Sequence, residues 1–509
     1  MTSDAQAVST RLQQAVLAFL SNHEPQFKRI DTHASIVFLG NDRVLKIKRA
    51  VRLPFLDYST LEKRKQACEE ELIVNRRFAP QLYRRVVPIT QSPRGFEIYG
   101  QGPVAEWAVE MSRFDESKTF DHLCRAGAVD PELAEVLAAT LHDAHERAPV
   151  VERSSWPESI SGIVERNTRT FLDEPELARD GVARLGALSH HRLGECRNLL
   201  QERATEGLVR RCHGDAHLGN IVLIGGKPVL FDAIEFDPVI ATTDVLYDLA
   251  FPVMDFCHFG LLENANRLLN SYLQATWNKN GTALGLLPLF LSMRAAIRSN
   301  VLFTKRRLSP DQNDGQEAQA YFHLALDLIT PVRPSLIAIG GKSGTGKSVL
   351  ARAVAALPDP LPGAILLRSD VIRKELLGVG PLTSLPPTAY AADVTARVYR
   401  TLRERSRQIL DQGFSVVVDA AFLKQSERDE LSKAAGEATA EFRAVFLTAD
   451  LAVRLDRVRL RRNDASDATQ EIAAAQEEYE IGQIDWPVVD ASGSRQQTLE
   501  RSKPVLLPG

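Results

Sequence analysis

Hydrophobic positions in the first part of the chain occur in short runs separated by turns. Ile36–Leu39, the turn Gly40–Asp42 and Val44–Lys48 predict a β-hairpin, because two apolar runs flank a short polar segment. The other elements expected here are a charged helix at Thr60–Phe78 and strands at Val86–Ile89 and Ala105–Met111. This pattern predicts a small β-rich lobe at about residues 25–112.

Helical spacing dominates the next part of the chain, where apolar residues recur every three or four positions. The helical segments are Pro131–Leu141, Leu188–Thr205, Thr243–Phe259 and Asn264–Thr304. They predict a larger helical lobe at about residues 113–330. The first domain, residues 1–330, is therefore expected to be an α+β bilobal domain.

A second domain, residues 335–509, is predicted to follow the prolines of Leu328–Ser335, which end the helical pattern. A helix at Asp393–Leu410 is expected to end at Gly413, because glycine readily adopts the left-handed conformation after a helix. Four runs predict strands: Leu336–Ile339, Ala364–Leu367, Ser415–Val418 and Ala444–Leu447. Strands that are apolar on both faces are typical of a covered parallel sheet, so an α/β domain is predicted.

The composition is that of a globular chain, with 44% hydrophobic and 25% charged residues among 509. The 62 basic and 65 acidic residues give a net charge of −3, which argues against general attraction to nucleic acids or membrane surfaces. The five cysteines lack CxxC spacing, and no apolar run approaches the roughly 18 residues that span a bilayer. The sequence is interpreted as cytoplasmic with reduced thiols, and it does not set an oligomeric state.

A phosphate-binding loop is predicted at Gly341–Ser348, which fits GxxxxGK[ST] between a strand and a helix-compatible stretch, Val349–Ala356. Its backbone N–H groups are expected to surround phosphate oxygens, Lys347 to reach the outer phosphates, and Ser348 to coordinate Mg²⁺. The candidate nucleotide-binding residues are Gly341, Lys342, Ser343, Gly344, Thr345, Gly346, Lys347 and Ser348. A glycine-rich turn without a ligand is the structural alternative.

Two carboxylates follow neighbouring strands of this domain, Asp370 after Ile365–Ser369 and Asp419 after Val416–Val418. Because ligands bind beyond the carboxyl ends of parallel strands, both are expected to face the nucleotide. Asp419 is predicted to organise Mg²⁺, and Asp370 to accept a substrate proton with Arg373 holding substrate. Asp370 could equally cap the following helix, and the two roles are compatible.

Arginines three and four residues apart, Arg454, Arg457 and Arg461, share one face of a predicted helix. Such a helix could be a lid that brings Arg457 and Arg461 onto the transferring phosphoryl group, where they would be catalytic together with Asp370 and Lys347. The structural alternative is a solvated basic face.

With these motifs the last third of the chain resembles the small P-loop kinases, a group that includes gluconate kinase, adenylylsulfate kinase and the polynucleotide 5′-hydroxyl kinase domain. The resemblance rests on Gly341–Ser348, Ser369–Lys374, Val418–Asp419 and the arginine-bearing segment. It implies a kinase but does not name an acceptor.

A second phosphotransfer pattern is H-x-D-x-x-x-x-N at His213–Asn220. In such a loop Asp215 can deprotonate an attacking hydroxyl, and Asn220 can offer an oxygen to Mg²⁺. The apolar runs Ile221–Ile224 and Val229–Phe231 predict a hairpin that sets Asn220 beside Asp232, so that two oxygen ligands converge. The structural alternative makes Asp215 and Asp232 turn residues and His213 an interior histidine.

The small lobe is expected to supply a lysine, either Lys46 or Lys48, which lie on the same face of the second hairpin strand. The partner carboxylate is expected from the following helix, where Glu71 is favoured over Glu70. Trp107–Met111 falls where an adenine-binding strand would lie, although its apolar residues fit an ordinary core equally well.

These residues resemble the aminoglycoside phosphotransferase family, the small-molecule branch of the protein-kinase-like fold, over most of Ile30–Leu328. The resemblance implies that Asp215 is the catalytic base, Asn220 and Asp232 are metal ligands, and Lys46 binds phosphate. The small lobe lacks GxGxxG, and Ala233-Ile234 stands where protein kinases have Phe-Gly. The order of the two domains resembles bacterial proteins described as bifunctional aminoglycoside phosphotransferase and ATP-binding proteins.

The sequence thus predicts an ATP- and Mg²⁺-dependent phosphotransferase with two nucleotide sites. The expected acceptor is a hydroxyl group of a small molecule such as a sugar, an amino sugar or an aminoglycoside-like compound. One alternative is a regulatory ATP-binding protein that combines a pseudokinase module with a P-loop switch. Another is a toxin-like kinase, or a kinase of nucleic-acid 5′-hydroxyls.

Overall fold

The computed structural model describes residues 2–23, 27–32, 34–53, 56–152, 154–308, 312–461, 464–479 and 481–507. The chain forms two compact units. The first unit consists of Met1–Val129, Ala139–Ile160 and Arg197–Pro252, and the second of Asp130–Ala138, Ser161–Cys196 and Val253–Gly509.

The amino-terminal half of the chain contains both helices and short strands. Its elements are α1 (Thr2–His23), β1 (Lys28–Asp31), β2 (Ser35–Leu39), β3 (Arg43–Lys48), β4 (Arg52–Leu53), β5 (Leu56–Asp57), α2 (Leu61–Arg76), β6 (Tyr83–Ser92), β7 (Gly95–Ile98), β8 (Val104–Ser112), α3 (Phe120–Arg125), α4 (Pro131–Arg147), α5 (Trp156–Leu172), α6 (Arg179–Thr205), β9 (Val209–Arg211), β10 (Ile221–Ile224), β11 (Lys227–Leu230), α7 (Pro238–Ala241), β12 (Thr242–Asp244) and α8 (Val245–His258).

The carboxy-terminal half alternates strands and helices after a helical stretch. Its elements are α9 (Leu262–Asn280), α10 (Leu287–Leu308), α11 (Gln312–Ile329), β13 (Ser335–Gly341), α12 (Lys347–Ala355), β14 (Ile365–Arg368), α13 (Ser369–Leu376), α14 (Ala392–Asp411), β15 (Val416–Asp419), α15 (Gln425–Glu437), β16 (Glu441–Thr448), α16 (Leu451–Leu460), α17 (Gln470–Ala475), β17 (Val488–Asp490) and α18 (Arg495–Leu506).

The first unit contains a six-stranded antiparallel sheet with the strand order β1-β2-β3-β8-β6-β7. Apolar residues of β2 and β3, such as Phe38 and Ile47, pack with Val16 and Leu20 of α1. Other sheet residues, such as Val44 and Val109, form a second core with Cys68 of α2 and with the hairpin β10–β11. Both surfaces of this sheet are therefore covered. Helix α1 was not predicted, whereas α2 agrees with the helix expected at Thr60–Phe78.

The second unit contains a five-stranded parallel sheet with the strand order β14-β15-β13-β16-β17. Its core includes Ile337, Val417 and Val445 from three strands, together with Val354 of α12 and Leu506 of α18. The predicted strands and the helix at Asp393–Leu410 are found within a few residues of their expected bounds. Gly413 has φ +85°, as expected for the residue that ends that helix.

Strand β14 lies at one edge of this sheet and is covered by α9. The Asn270 Oδ1 accepts a hydrogen bond of 2.7 Å from the Leu366 N–H, and the amide groups of Asn266 and Asn270 donate to the Ala364 carbonyl at 3.0 and 3.1 Å. Because Asn266 and Asn270 are one helical turn apart, both reach the same strand. Side-chain amides thus satisfy backbone groups that an edge strand leaves open.

The predicted fold class is confirmed: an α+β arrangement with an antiparallel sheet precedes a P-loop α/β arrangement with a parallel sheet. The boundary expected between residues 330 and 335 stays a prediction. All five cysteines are buried and form no disulfide. One helical segment, Leu284–Arg307, is long and apolar enough to cross a membrane by length and composition, but 78% of its apolar window is buried inside the protein, as in a core helix.

Candidate functional site

The loop with kinase-like spacing leads directly into the predicted hairpin of the first unit. Strands β10 and β11 pair in antiparallel register with Ile221 opposite Leu230, and the Phe231 N–H donates to the Asn220 carbonyl at 3.0 Å. The Asn220 Nδ2 donates to the Asp215 Oδ2 at 3.2 Å and to the Asp215 carbonyl at 3.0 Å. The spacing therefore brings Asp215 and Asn220 into contact. Within the part of the chain that the structure describes, no group donates to the Asn220 Oδ1.

Asp232 follows this hairpin in a left-handed backbone conformation, with φ +60°. This conformation is uncommon for residues other than glycine and tends to occur at functional sites. Two groups hold it: the Asp232 N–H donates to the Tyr83 Oη at 3.1 Å, and the Ala233 N–H donates to the Asn75 Oδ1 at 2.7 Å. Sequence analysis missed Tyr83 and Asn75. Asn75 lies one helical turn after Glu71, a spacing that could have indicated it.

Both candidate lysines of β3 pair with the same glutamate. The Lys46 Nζ lies 2.8 Å from the Glu71 Oε1, and the Lys48 Nζ lies 2.6 Å from the Glu71 Oε2. Lys46 also contacts Asp232, and Lys48 contacts Glu235. Glu71 is fully buried whereas Glu70 is exposed.

The two lysines differ in their surroundings. The Lys48 side chain is 2% exposed and its second partner, Glu235, is buried, whereas Asp232, the second partner of Lys46, has a side chain that is 43% exposed. Lys46 is therefore the lysine that reaches an accessible carboxylate. Glu235, which sequence analysis missed, neutralises Lys48 in the interior.

Charge pairing outweighs burial for the carboxylates of this cluster. Burial alone would raise the pKa of Glu71, but the ammonium groups of Lys46 and Lys48 hold that pKa below its ordinary value. The same holds for Asp232, whose pKa is lowered chiefly by Lys46. Burial opposes the charge of Lys46, yet Asp232 and Glu71 raise the pKa of that lysine. Both carboxylates are thus anionic at neutral pH.

A buried network braces the loop from behind. The Asp248 carboxylate accepts hydrogen bonds from the His213 N–H at 3.2 Å and the Gly214 N–H at 2.8 Å, and it lies 3.2 Å from the His145 Nε2. The His213 Nε2 contacts the Phe231 carbonyl at 3.0 Å, and burial lowers the pKa of this histidine, which favours its neutral form. His213 and Asp248 therefore support the loop.

In the second unit, residues Lys342–Gly346 connect β13, which ends at Gly341, to α12. Gly344 has φ +84°, and a Cβ atom there would lie 2.6 Å from the Arg454 carbonyl. Gly346 precedes α12 with φ +98°. Because α12 begins at Lys347, the helix N-terminus follows the loop directly, as a phosphate-binding loop requires. The Lys347 Nζ donates to the Lys342 carbonyl at 3.0 Å, and burial lowers the pKa of Lys347.

Two of the arginines of the predicted lid, Arg454 and Arg457, contact the loop, and the lid itself stays a prediction. Arg454 is 2% exposed, and it donates to the Ser343 carbonyl at 2.8 Å and to the Ala473 carbonyl at 2.9 Å. Arg457 donates to the Thr345 carbonyl at 3.3 Å and to the Gly493 carbonyl at 2.7 Å. Arg454 is therefore not part of a solvated face. Arg461 follows α16 as its C-cap residue, and its positive charge, after burial, contributes to the lowered pKa of Lys347.

Two side chains from residues 476 and 477, which sequence analysis missed, also hold the loop. The Gln476 Oε1 accepts a hydrogen bond of 2.7 Å from the Ser343 N–H. Glu477 pairs with Lys342 at 3.0 Å and contacts Arg454. These contacts fix the side of the loop that carries Ser343.

The two carboxylates at the strand ends have different environments. Asp419 ends β15 and pairs with Arg368 of β14, whose Nε lies 3.2 Å from the Asp419 Oδ2, and Arg368 also pairs with Asp464 at 2.9 Å. Helix α13 begins at Ser369, so Asp370 lies in its first turn rather than at the cap. Burial, followed by the negative charge of Asp419, raises the pKa of Asp370. A raised pKa suits a proton acceptor.

Arg373 is buried rather than open to a substrate. Its Nη1 donates to the Ala389 carbonyl at 2.8 Å, and its guanidinium lies 4.6 Å from the centre of the Tyr390 ring. The adjacent Lys374 pairs with Asp467 at 3.2 Å, and Asp467 accepts a hydrogen bond of 2.8 Å from the Tyr390 hydroxyl. These contacts anchor the segment around Tyr390, and the substrate-binding role of Arg373 stays a prediction.

The chain is similar to a known domain family in its carboxy-terminal part and to other proteins over nearly its whole length. Residues 336–480 match the family model of the AAA domain, which covers the predicted P-loop region. The chain is 27% identical over 493 residues to the uncharacterized protein Rv2004c of Mycobacterium tuberculosis, covering 94% of each chain. The same identity and coverage hold for the uncharacterized protein Mb2027c of Mycobacterium bovis.

Among solved structures, similar chains include a choline/ethanolamine kinase family protein from Mesorhizobium loti and a gluconokinase from Sinorhizobium meliloti. The first is 14% identical and covers 63% of this chain and 96% of its own, with a TM-score of 0.40. The second is 24% identical and covers 34% of this chain and 91% of its own, with a TM-score of 0.25.

Proposed function

We propose that the protein is an ATP- and Mg²⁺-dependent phosphotransferase with one nucleotide site in each unit. The proposal is supported in the first unit by the contact of Lys46 with Asp232, which ends the hairpin that begins beside Asn220. In the second unit it is supported by Lys347, which follows the glycine loop directly, precedes Ser348 and is acted on by the charge of Asp419. The acceptor is the hydroxyl group of a small molecule such as a sugar, an amino sugar or an aminoglycoside-like compound.

In the first unit Asp215 accepts the proton of the attacking hydroxyl. Its contact with the Asn220 Nδ2, at 3.2 Å, orients its carboxylate and leaves the Asn220 Oδ1 for a cation. An amide oxygen and the anionic Asp232 are the hard oxygen ligands that Mg²⁺ prefers, so this donor set fits the metal. Bound Mg²⁺ would neutralise charge on the transferring phosphate. Lys46, paired with Glu71, contacts the nucleotide phosphates.

In the second unit the N–H groups of Gly341–Gly346 and the Lys347 ammonium bind the phosphates. Ser348 and Asp419 would hold Mg²⁺, because a hydroxyl and a carboxylate are the oxygen ligands that this ion prefers. Asp370, whose pKa is raised, takes the proton of the substrate hydroxyl. Arg461, whose charge acts on Lys347, stabilises the phosphoryl group during transfer. Arg457 supports this reaction by holding the Thr345 carbonyl.

Titration calorimetry with Mg²⁺ and a non-hydrolysable ATP analogue tests the two sites. We expect two nucleotides per wild-type chain, and one each for the Lys347→Ala and Asp232→Asn variants, because each removes a charge on which one site depends. The matched controls are Lys433→Ala and Asp42→Asn, which change exposed side chains and should keep two sites. A wild-type stoichiometry of one contradicts the two-site proposal.

Labelled ATP incubated with a metabolite extract tests the reaction itself. Mass spectrometry should find a phosphorylated small molecule in the wild-type reaction. This product should be absent with Asp215→Asn, with Asp370→Asn or with the variant that combines both. Hydrolysis of ATP without any phosphorylated product contradicts phosphotransfer and favours a regulatory ATP-binding protein instead.

A further inference from the structure

A cleft of about 330 Å³ lies beside the edge strand β14 in the second unit, between α9 and helices α13 and α14. Its volume is at the lower end of the range for small-molecule sites, about 300–1,000 Å³. Apolar side chains line part of it, including Leu273 and Trp277 of α9 and Leu366 of β14. The cleft is therefore large enough for a small metabolite and offers it an apolar surface.

Four arginines line the cleft, and carboxylates neutralise three of them. Arg267 pairs with Glu135 at 3.0 Å and with Glu263 at 2.9 Å. Arg405 pairs with Glu375 at 2.5 Å, and its guanidinium lies 4.8 Å from the centre of the Trp277 ring. Arg368, the third of these arginines, pairs with Asp419 and Asp464.

The fourth arginine, Arg352 of α12, is different. Among the residues that the structure describes, none forms a hydrogen bond or an ion pair with its guanidinium. It is only partly exposed, and burial, followed by the positive charge of Arg368, lowers the pKa of Arg352, although the carboxylates of Asp464 and Glu135 act in the opposite direction without forming an ion pair with it. A partly buried guanidinium with cationic neighbours gains from an anion, particularly a carboxylate or a phosphate that it can bind through two N–H groups.

We infer that this cleft binds a small metabolite whose oxyanion head, a carboxylate or a phosphate, pairs with Arg352 while its apolar body packs against Leu273, Leu366 and Trp277. The site is distinct from the phosphate-binding loop, because none of the residues Gly341–Ser348 lines the cleft, although Arg352 lies one helical turn after Ser348. Arg368 lines the cleft and also contacts Asp419, so a bound metabolite would lie one side chain away from the proposed P-loop centre.

Trp277 provides a reporter inside the cleft. The chain has four tryptophans, so full-length protein labelled with 5-fluorotryptophan gives four fluorine resonances, and the Trp277→Phe variant assigns the one in the cleft. The measurement is made in a Lys347→Ala background, which removes phosphate binding by the loop. Phenyl phosphate and phenylacetate are the two anionic probes, and benzyl alcohol is the neutral one.

We expect at least one anionic probe to shift the Trp277 resonance in a saturable way. Benzyl alcohol should bind at least about tenfold more weakly, because it lacks the charge-assisted contact. The probe that binds more tightly tells a phosphate site from a carboxylate site. Arg352→Gln should weaken that probe by about tenfold or more. Ser271→Phe, which fills the cleft and keeps every charge, should also abolish the shift.

The matched control is Arg397→Gln, which removes an exposed arginine of α14 that does not line the cleft. It should leave the affinity unchanged. The inference is overturned if neither anion gives a saturable shift, if benzyl alcohol binds as tightly as the anions, or if Arg352→Gln binds like the parent. Should Ser271→Phe lower the melting temperature, Arg352→Gln alone decides.

Discussion

The lysines of the two candidate sites are held in opposite ways. Lys46 of the first unit pairs with Glu71 and contacts Asp232, and these carboxylates raise its pKa. Lys347 of the second unit donates to a backbone carbonyl, forms no ion pair with the described residues, and has a pKa that burial lowers. One site neutralises its cation internally, whereas the other leaves the charge for a ligand.

This difference has consequences for stability and for binding. A buried cation that already has carboxylate partners contributes to the integrity of its unit, because removing one partner removes a charge-assisted contact from a buried group. A lysine that only donates to a carbonyl contributes less to the stability of its unit. Because no carboxylate neutralises it, its whole positive charge is available to a bound phosphate. We therefore expect substitutions around Lys46 to affect folding and binding together, and substitutions around Lys347 to affect mainly binding.

The largest effect is expected for Glu71→Gln. Lys46 and Lys48 would keep Asp232 and Glu235 but lose the carboxylate that they share, so two charge-assisted contacts disappear. At about 1.5–2.5 kcal/mol for each contact, the free energy of unfolding of the first unit should fall by about 3–5 kcal/mol. Hydrogen exchange followed by mass spectrometry measures this locally, because peptides of β3 and α2 report on the first unit and peptides of β13 on the second.

The matched control for this prediction is Glu70→Gln, which changes the neighbouring, exposed glutamate. It should alter the exchange of the same peptides by no more than about 0.5 kcal/mol, as is usual for surface substitutions. Equal effects of the two variants would contradict the assignment of the shared carboxylate to Glu71.

The next effect separates the two lysines of β3. Lys46→Met should weaken nucleotide binding by the first unit by about 2 kcal/mol, roughly 30-fold, because Lys46 reaches the accessible Asp232. Lys48→Met should instead chiefly lower stability, because Lys48 is buried between Glu71 and Glu235. Calorimetry in the Lys347→Ala background reads the first unit alone. A larger loss of affinity in Lys48→Met would reverse the assignment.

A smaller effect is expected from Arg454, which supports the P-loop without carrying phosphate. Arg454→Gln removes donors to the Ser343 and Ala473 carbonyls and the contact with Glu477, so the affinity of the second site should fall about tenfold, or about 1.4 kcal/mol. The measurement is calorimetry in the Asp232→Asn background. The control, Arg459→Gln, alters an exposed arginine of the same helix and should bind normally.

Local spacing predicted the parts of both sites whose contacts are short in sequence. The P-loop and the His213–Asn220 loop were placed from motifs because their geometry depends on residues only a few positions apart, such as Asp215 and Asn220. The hairpin β10–β11 was placed from two apolar runs and a glycine turn for the same reason. Fold class followed from the change of hydrophobic period along the chain.

Contacts across long stretches of sequence were not predictable in this way. The pairs Asn75 with Ala233 and Lys48 with Glu235 join residues separated by 158 and 187 positions, and no local pattern marks them. The spacing of Arg454, Arg457 and Arg461 predicts a shared face, but only the contacts of Arg454 with Ser343 and of Arg457 with Thr345 show which groups those two bind. A shared helix face indicates that residues contact the same region, but it does not identify the groups that they contact.

The smallest effect concerns the stability of the first unit at acid pH. Because its folded pKa lies below the ordinary value of 4.5, Glu71 binds fewer protons when folded than when unfolded in the window between the two values. Its contribution to stability is present above the unfolded pKa and is lost as pH falls through the folded one. In the wild-type protein, peptides of the first unit should thus lose protection from hydrogen exchange in this acid window. In Glu71→Gln, the protection relative to its value at neutral pH should change less with pH. An equally steep profile in both proteins would mean that other carboxylates, rather than the pair with the two lysines, set the acid response of this unit.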